Sequence, residues 1–370
     1  TVPEARPLLA FTGLELVEAF RKVEEPCAKE YVQKAIAVYH DDENNLEADV
    51  SGAYPGVLAT RLLSPTLSVG RLMIEFWLRG FSPRRDTAGH LVGGQFGPGA
   101  VSEKRDHIDR ATDLPSWRPC FHTVTEPTYF RTREEWRTWM LRDSEGIEAP
   151  RPFPRALSSR MVAVPKTATK PRLIAAEPAA NSWGQQSLMG TLKRAMARFP
   201  YLDITDQTHN QALCLQGLAT VDQSRASDRV ADTLVRSLFP SEWVEVLEMT
   251  RTESVLCLCG KTHTLSKFAG MGSTTTFPVE TLVFAACALA RVYLEEGGTP
   301  WDDRRAVEAW LRKQQSLDCW GFYGDDAIVP CKWFDSVCDE YRCWGFIPNT
   351  EKSYTAPPCF RESCGVMAFF

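Results

Sequence analysis

Tyr323-Gly324-Asp325-Asp326 sets two carboxylates side by side between two short β-prone runs, Asp318 to Tyr323 and Ala327 to Cys331. Gly and Asp tolerate the backbone of a tight hairpin, so the pair is expected at a hairpin tip. Adjacent ionised carboxylates repel, and one takes up a proton unless a cation sits between them. A hard divalent ion relieves this, and Mg²⁺ suits one or two carboxylates plus substrate phosphates. A further carboxylate on a neighbouring strand would complete a two-ion site, able to activate an attacking oxygen and stabilise a leaving one in phosphoryl displacement. Asp222, at the end of the apolar run Leu218 to Val221, is the candidate. Asp41-Asp42 and Asp302-Asp303 lack such a setting and read as solvated turns.

The elements that must position these groups are partly legible. Pro278 to Glu296 reads as a buried helix: apolar almost all round, Pro near its start, Gly297-Gly298 at its end. The polar loop Gly270 to Thr276 opens it. From Arg151 to Pro200 there are nine basic residues and one acidic, Glu177, a local net of +8 in a chain whose overall charge is −5. A patch of that density suits phosphate. The first 150 residues read as mixed helix and loop. Leu14 to Ala28 has helical spacing, Thr132 with Glu135 forms a capping box ahead of Trp136, Trp139 and Met140, and Gly93 to Gly99 is a loop without the Gly-Lys-Ser/Thr of a nucleotide cradle.

Together these segments resemble viral RNA-directed RNA polymerases, and in order and detail the replicases of levivirus-type RNA bacteriophages. Tyr323 to Asp326 looks like their motif C, Asp222 to Asp228 motif A, and Gly270-Met271-Gly272-Ser273 through Thr276-Phe277 and Glu280 motif B. Lys166 and Lys170-Pro171-Arg172-Leu173-Ile174, running into Glu177-Pro178 and Asn181, resemble the basic motif F. Asp206-Gln207-Thr208 with Asn210-Gln211 resembles a phage-type signature. Gly345 to Lys352 looks like motif D and Phe360 to Gly365 motif E; Phe96 to Gly99 resembles a further family loop.

The resemblance implies an α+β, right-hand fold of fingers and palm, with an antiparallel palm sheet flanked by helices. The expected division is 1–150 as N-terminal region and part of the fingers, 151–215 as fingers with the nucleotide entry, and 216–370 as palm with a fingers insertion near 252–269; the thumb is expected to be missing. It implies that Asp222 and Asp325 hold two Mg²⁺ (or Mn²⁺) ions with Asp326 supporting. Lys166, Lys170 and Arg172 would neutralise the triphosphate. Asp228 would contact the ribose hydroxyl, helped by Ser273 or Thr276, and Lys352 would protonate pyrophosphate. Arg361 and Glu362 would be primer contacts or a buried pair. Template and nascent RNA and ribonucleoside triphosphates are the implied partners, with host elongation factors Tu and Ts by resemblance, in the cytoplasm of a bacterial host. Glu280 departs from the Asn that many positive-strand polymerases carry there.

Composition sets the outer limits. The 370 residues are 44% hydrophobic and 24% charged, which excludes a disordered, collagenous or coiled-coil chain. The longest uncharged apolar run, Thr281 to Ala290, is ten residues against the ~20 needed to span a bilayer. No basic start with an apolar core marks a signal peptide. Cys257 and Cys259 are one residue apart, Cys338 and Cys343 four apart; neither makes a CxxC…CxxC zinc pattern, and the twelve cysteines read as reduced, mostly buried thiols. The alternatives are a narnavirus- or mitovirus-type polymerase, a reverse transcriptase, a metal-dependent nuclease, and a non-catalytic RNA-binding relative.

Overall fold

The computed structural model describes residues 27–51, 64–85, 91, 93–95, 101–102, 158–167, 169–355 and 360–370. The helix expected after Thr132, the Leu14 to Ala28 segment save its last two residues, and the Phe96 to Gly99 loop lie outside them.

In chain order come helices α1 (Lys29–Ser51) and α2 (Pro65–Leu78), strands β1 (Ser159–Thr167) and β2 (Lys170–Ala176), helices α3 (Ala179–Met196) and α4 (Thr208–Leu215), and strand β3 (Ala219–Val221). Helices α5 (Asp232–Leu238) and α6 (Ser241–Thr250), strands β4 (Ser254–Leu256) and β5 (Thr262–Thr264), and helices α7 (Thr276–Glu295) and α8 (Arg304–Leu317) follow. The rest are β6 (Gly321–Tyr323), β7 (Asp326–Val329), α9 (Phe334–Cys343), β8 (Phe360–Ser363) and β9 (Val366–Phe369). This is the mixed α+β chain expected.

Helix α7 is the axis of the core. Sixteen of its twenty residues are buried, so it is apolar on every face, as a helix enclosed by neighbours must be. It begins at Thr276, two residues ahead of the expected start, because Pro278 needs no amide partner in a first turn. It is long and apolar enough to pass for a membrane span, but 83% of that window is inside the protein. Helices α2 and α9 pack on it. Gly70 of α2 lets Trp344 come close, and Tyr341 of α9 donates from its hydroxyl to Phe284 O at 3.2 Å. Leu282 and Leu289 are wholly buried, and truncating either to Ala costs about 2–5 kcal/mol.

Two sheets lie around this core. One has the order β3-β7-β6, all antiparallel. The other has the order β2-β1-β4-β5, with β1 parallel to β4 and the other pairs antiparallel. Thus the β4–β5 hairpin, inside the expected 252–269 insertion, joins the sheet of the basic segment. A separate hairpin, β8–β9, ends at Phe369 and Phe370, both more than half exposed.

Of the acidic pairs set aside as solvated turns, Asp41 and Asp303 are exposed, but Asp42, Asp302 and Asp303 also carry structural contacts. Asp42 is 2% exposed, forms an ion pair with Arg225 at 2.8 Å and accepts from Arg229 Nη1 at 2.9 Å. Asp303 caps α8 by accepting from Ala306 N at 3.0 Å, and Asp302 accepts from Thr299 N at 2.7 Å and from the Tyr293 hydroxyl. Spacing alone hid this because the partners of Asp42 lie about 185 residues away.

Candidate active site

The three-stranded sheet gathers the carboxylates by register. Val221 pairs with Ala327 across β3 and β7, and Tyr323 pairs with Asp326 across β6 and β7. One residue past Val221, Asp222 therefore stands beside Asp326, with neighbouring strands ~4.8 Å apart. Gly324 and Asp325 form the two-residue turn. Only Gly324 takes a positive φ, 63°, the pattern of a turn with Gly at its first central position. A side chain at Gly324 would strike the Phe277 ring. Its amide donates to Thr281 Oγ1 at 2.9 Å, so α7 grips the turn.

Each carboxylate has its own support. Asp222 Oδ2 accepts from Asn349 Nδ2 at 2.8 Å, and Asn349 N donates to Asp222 O at 2.9 Å. Asp326 Oδ2 accepts from Cys364 N at 3.0 Å. Burial, then the Asp325 charge, pushes the Asp326 carboxyl up to about 6, while the Cys364 amide pulls the other way. Burial also raises Asp222, with the Asn349 hydrogen bond opposing it and Asp325 adding to it; Lys352 and Lys166 pull it down. Asp325 raises both Asp222 and Asp326, and the three carboxylates form an all-oxygen set that fits a hard divalent cation.

Lys166 sits at the irregularity where the β1–β2 register shifts between Pro165 and Thr167. Burial and the Arg172 and Lys352 charges lower its pKa, while Asp222 and Asp325 raise it, so the hairpin tip and the carboxylates feel one another. Lys170 and Arg172, two apart on β2, share a face and are exposed. The hairpin is tied to the loop before α7 by Ala175 N donating to Met271 O at 2.7 Å, and Gly272, at φ 118°, leaves no room there for a side chain. Glu177 and Asn181, at the end of the same segment, turn instead into a buried network around Thr252.

The other expected residues are placed less uniformly. Asp228 Oδ1 accepts from Lys267 Nζ at 2.7 Å, and Lys267 is wholly buried, with Glu43 at 3.1 Å and the Tyr39 ring centre at 3.4 Å. Ser273 and Thr276 are buried: Ser273 Oγ is 3.2 Å from Thr275 Oγ1, and Thr276 Oγ1 donates to Gly270 O at 2.9 Å. Those hydroxyls shape the loop. Lys352 Nζ lies 3.7 Å from Glu362, on the side of the site where its charge reaches Asp222. Arg361 is buried against the Leu218 carbonyl at 2.9 Å, so it and Glu362 do not form a buried pair with each other.

Three supporting residues escaped the sequence reading. Asn349 and Asn210 lay in segments that were noted, without a role. Asn210 Nδ2 reaches Asp326 O at 3.4 Å behind the turn. Lys267 carried no signal, because its partners come from two distant segments, α1 and the residues after β3. Glu280 was noted within motif B and as a departure there, without a role of its own. Burial, then the Asp325 and Asp228 charges, hold its carboxyl well above the ordinary range, and its Oε2 makes no hydrogen bond among the described residues.

Comparison with known proteins adds to this geometry. The profile of the family described as RNA replicase, beta-chain, matches residues 62–370. The chain is 35% identical over 213 residues to the RNA-directed RNA polymerase subunit beta of Enterobacteria phage SP, covering 56% of this chain and 34% of that protein. It is 32% identical over 258 residues to the RNA-directed RNA polymerase beta chain of Enterobacteria phage GA, covering 67% and 44%. The chain thus spans about a third to under half the length of these relatives. Among solved structures, an insertion-loop deletion mutant of the RNA-dependent RNA polymerase of a human picorbirnavirus aligns over 95% of this chain and 67% of its own, with TM-score 0.45 and 14% identity.

Proposed function

The chain belongs to the RNA replicase beta-chain family, and from that premise we propose that it is the catalytic portion of an RNA-directed RNA polymerase of levivirus type. It would extend RNA on an RNA template from ribonucleoside triphosphates, in the cytoplasm of a bacterial host. The observation that carries the reading is the β3–β7 register, which sets Asp222 beside Asp326 at the Gly324-Asp325 turn.

In this reading residues 158–215 and the β4–β5 hairpin belong to the fingers, and the β3-β7-β6 sheet with α7 and α9 is the palm. Asp222 and Asp325 would hold two Mg²⁺ ions, with Asp326 supporting. When bound, the ions lower the pKa of the attacking hydroxyl and neutralise charge building on the leaving phosphates. Asn349 fixes the rotamer of Asp222, and the Cys364 amide fixes that of Asp326. Lys166, Lys170 and Arg172 neutralise the incoming triphosphate; Arg172 can do so with two parallel hydrogen bonds. Asp228, oriented by Lys267, accepts from the ribose 2′-hydroxyl, and the buried Glu280 carboxyl lies where the Asp228 charge reaches it. Lys352 gives its proton to pyrophosphate, and Glu362 holds it near. Ser273 and Thr276 act through the shape of their loop. Family resemblance carries the suggestion that host elongation factors Tu and Ts assist.

The experiment is extension of an RNA primer on an RNA template with labelled ribonucleotides, with and without Mg²⁺. Template-directed addition that needs the ion is expected. RNA binding without incorporation under any divalent ion, also when the chain is joined to its family's remaining length, would leave a non-catalytic RNA-binding protein.

A further inference from the structure

Away from the carboxylates, a second cluster has chemistry of its own. His40 comes from α1, Cys257 and Cys259 from the end of β4 and the turn after it, and His263 from β5. One ligand atom from each lies within 4.8 Å of all the others. Cys257 Sγ is 3.7 Å from His40 Nε2, Cys259 Sγ is 3.9 Å from His263 Nε2, and the two imidazole centres are 4.4 Å apart. Four donors at ~2.0–2.3 Å from a tetrahedral zinc stand about 3.5 Å from one another. The observed spacing is slightly wider, so a small inward movement closes it.

We propose that His40, Cys257, Cys259 and His263 form a structural Zn²⁺ site. Two thiolates with two imidazoles in a closed, four-ligand set select zinc over the hard ions that suit the carboxylates. The backbone is built for it. Cys257 N donates to Lys261 O at 2.8 Å and Gly260 N to Cys257 O at 2.9 Å, with Gly260 at φ 84°, so the turn presents both sulfurs on one side. Cys257 and its Met161 neighbour close the inner side, while exposed Cys259 leaves a way in. Cys-x-Cys followed by His four residues on does not read as a zinc pattern, because the fourth ligand lies about 220 residues upstream.

The site would pin α1 to the β4–β5 hairpin. Tyr39, next to His40, and Glu43, one turn on, both touch Lys267, which in turn holds Asp228. Zinc would thus steady the buried lysine behind the proposed ribose contact. That consequence rests on the polymerase reading; the presence of the metal does not.

The test is the zinc content of the chain purified under reductant and without chelators, followed by exchange for Co²⁺, whose absorption reports thiolate ligation and tetrahedral geometry. About one zinc per chain and a thiolate–cobalt spectrum are expected, together with a lower melting temperature after chelation. Cys259→Ser, at an exposed position, and His263→Ala should each weaken metal binding at least tenfold, while Cys343→Ser, an exposed thiol elsewhere, should not. A wild-type chain that carries no zinc and gives no thiolate–cobalt band overturns the proposal, as does Cys259→Ser binding as tightly as wild type. Should a variant fail to fold, the wild-type cobalt spectrum and melting shift decide by themselves.

Discussion

Around the Gly324-Asp325 turn, nearly every group is held by a neighbour: Thr281 on the Gly324 amide, Asn349 on Asp222, the Cys364 amide on Asp326, Asn210 behind. The tip of the β1–β2 hairpin is built the other way. Its register slips at Lys166, and Lys170 and Arg172 stand exposed. The difference follows from the work each would do. Carboxylates that share ions must be fixed before the ions arrive, because their repulsion would otherwise drive them apart or protonate them. Cations that neutralise a mobile triphosphate act through long, solvated side chains and need reach more than rigidity.

The sharpest way to break this comparison is at the turn. Asp325→Ala should lower nucleotide incorporation by ~10³-fold or more, since an ion's share of transition-state stabilisation is several kcal/mol. RNA binding, which depends on basic residues, should persist. Near-normal incorporation by Asp325→Ala would remove the turn from the chemistry.

On the basic hairpin, Lys166→Ala and Arg172→Ala should raise KM for nucleotide by roughly 10–100-fold, the ~1.5–3 kcal/mol of a hydrogen bond to a charged group. Losses confined to kcat would show that this tip is as preorganised as the acidic one, and the contrast would fall.

A smaller effect is expected at Asp228. Removing its side chain would also strip a partner from buried Lys267, so Asp228→Asn separates the roles better than Asp228→Ala. The preference for ribonucleotides over deoxyribonucleotides should drop ~10-fold in competition assays. Unchanged discrimination would make Asp228 a scaffold for Lys267.

The last prediction leaves catalysis alone. Burial drives the Glu177 carboxyl up to about 7 from an ordinary 4.5, against the Thr252 and Gln185 hydrogen bonds. The folded chain therefore keeps this proton after the unfolded chain has lost it. This contribution to stability is full below pH 4.5, falls as pH rises from 4.5 to 7, and is lost above that range, a change of about 3 kcal/mol. Glu177→Gln should flatten that slope in denaturant midpoints measured from pH 4.5 to 7.5. An unchanged slope would assign the loss to other groups.

What the sequence determined by itself was local. Tyr323 to Asp326 form a hairpin turn because Gly324 can take a positive φ and apolar residues flank it. Residues 276–295 form a core helix because they are apolar on every face. The basic character around Lys170 and Arg172 was legible as a dense run of positive charge, though not the hairpin that carries it. Tertiary structure decided whatever depends on pairing distant segments. The side-chain period of a strand is two, so a slip of one residue between β3 and β7 would turn Asp222 away from Asp326, and nothing within either segment fixes that register. The same holds for Asp42, which looked solvated until Arg225 and Arg229 closed on it, and for His40, whose meeting with Cys257, Cys259 and His263 follows from packing α1 on a hairpin about 220 residues away. Propensity and turn chemistry act over a few residues, whereas long-range register and ligand sets are fixed by the collective burial of the core, which no short segment encodes.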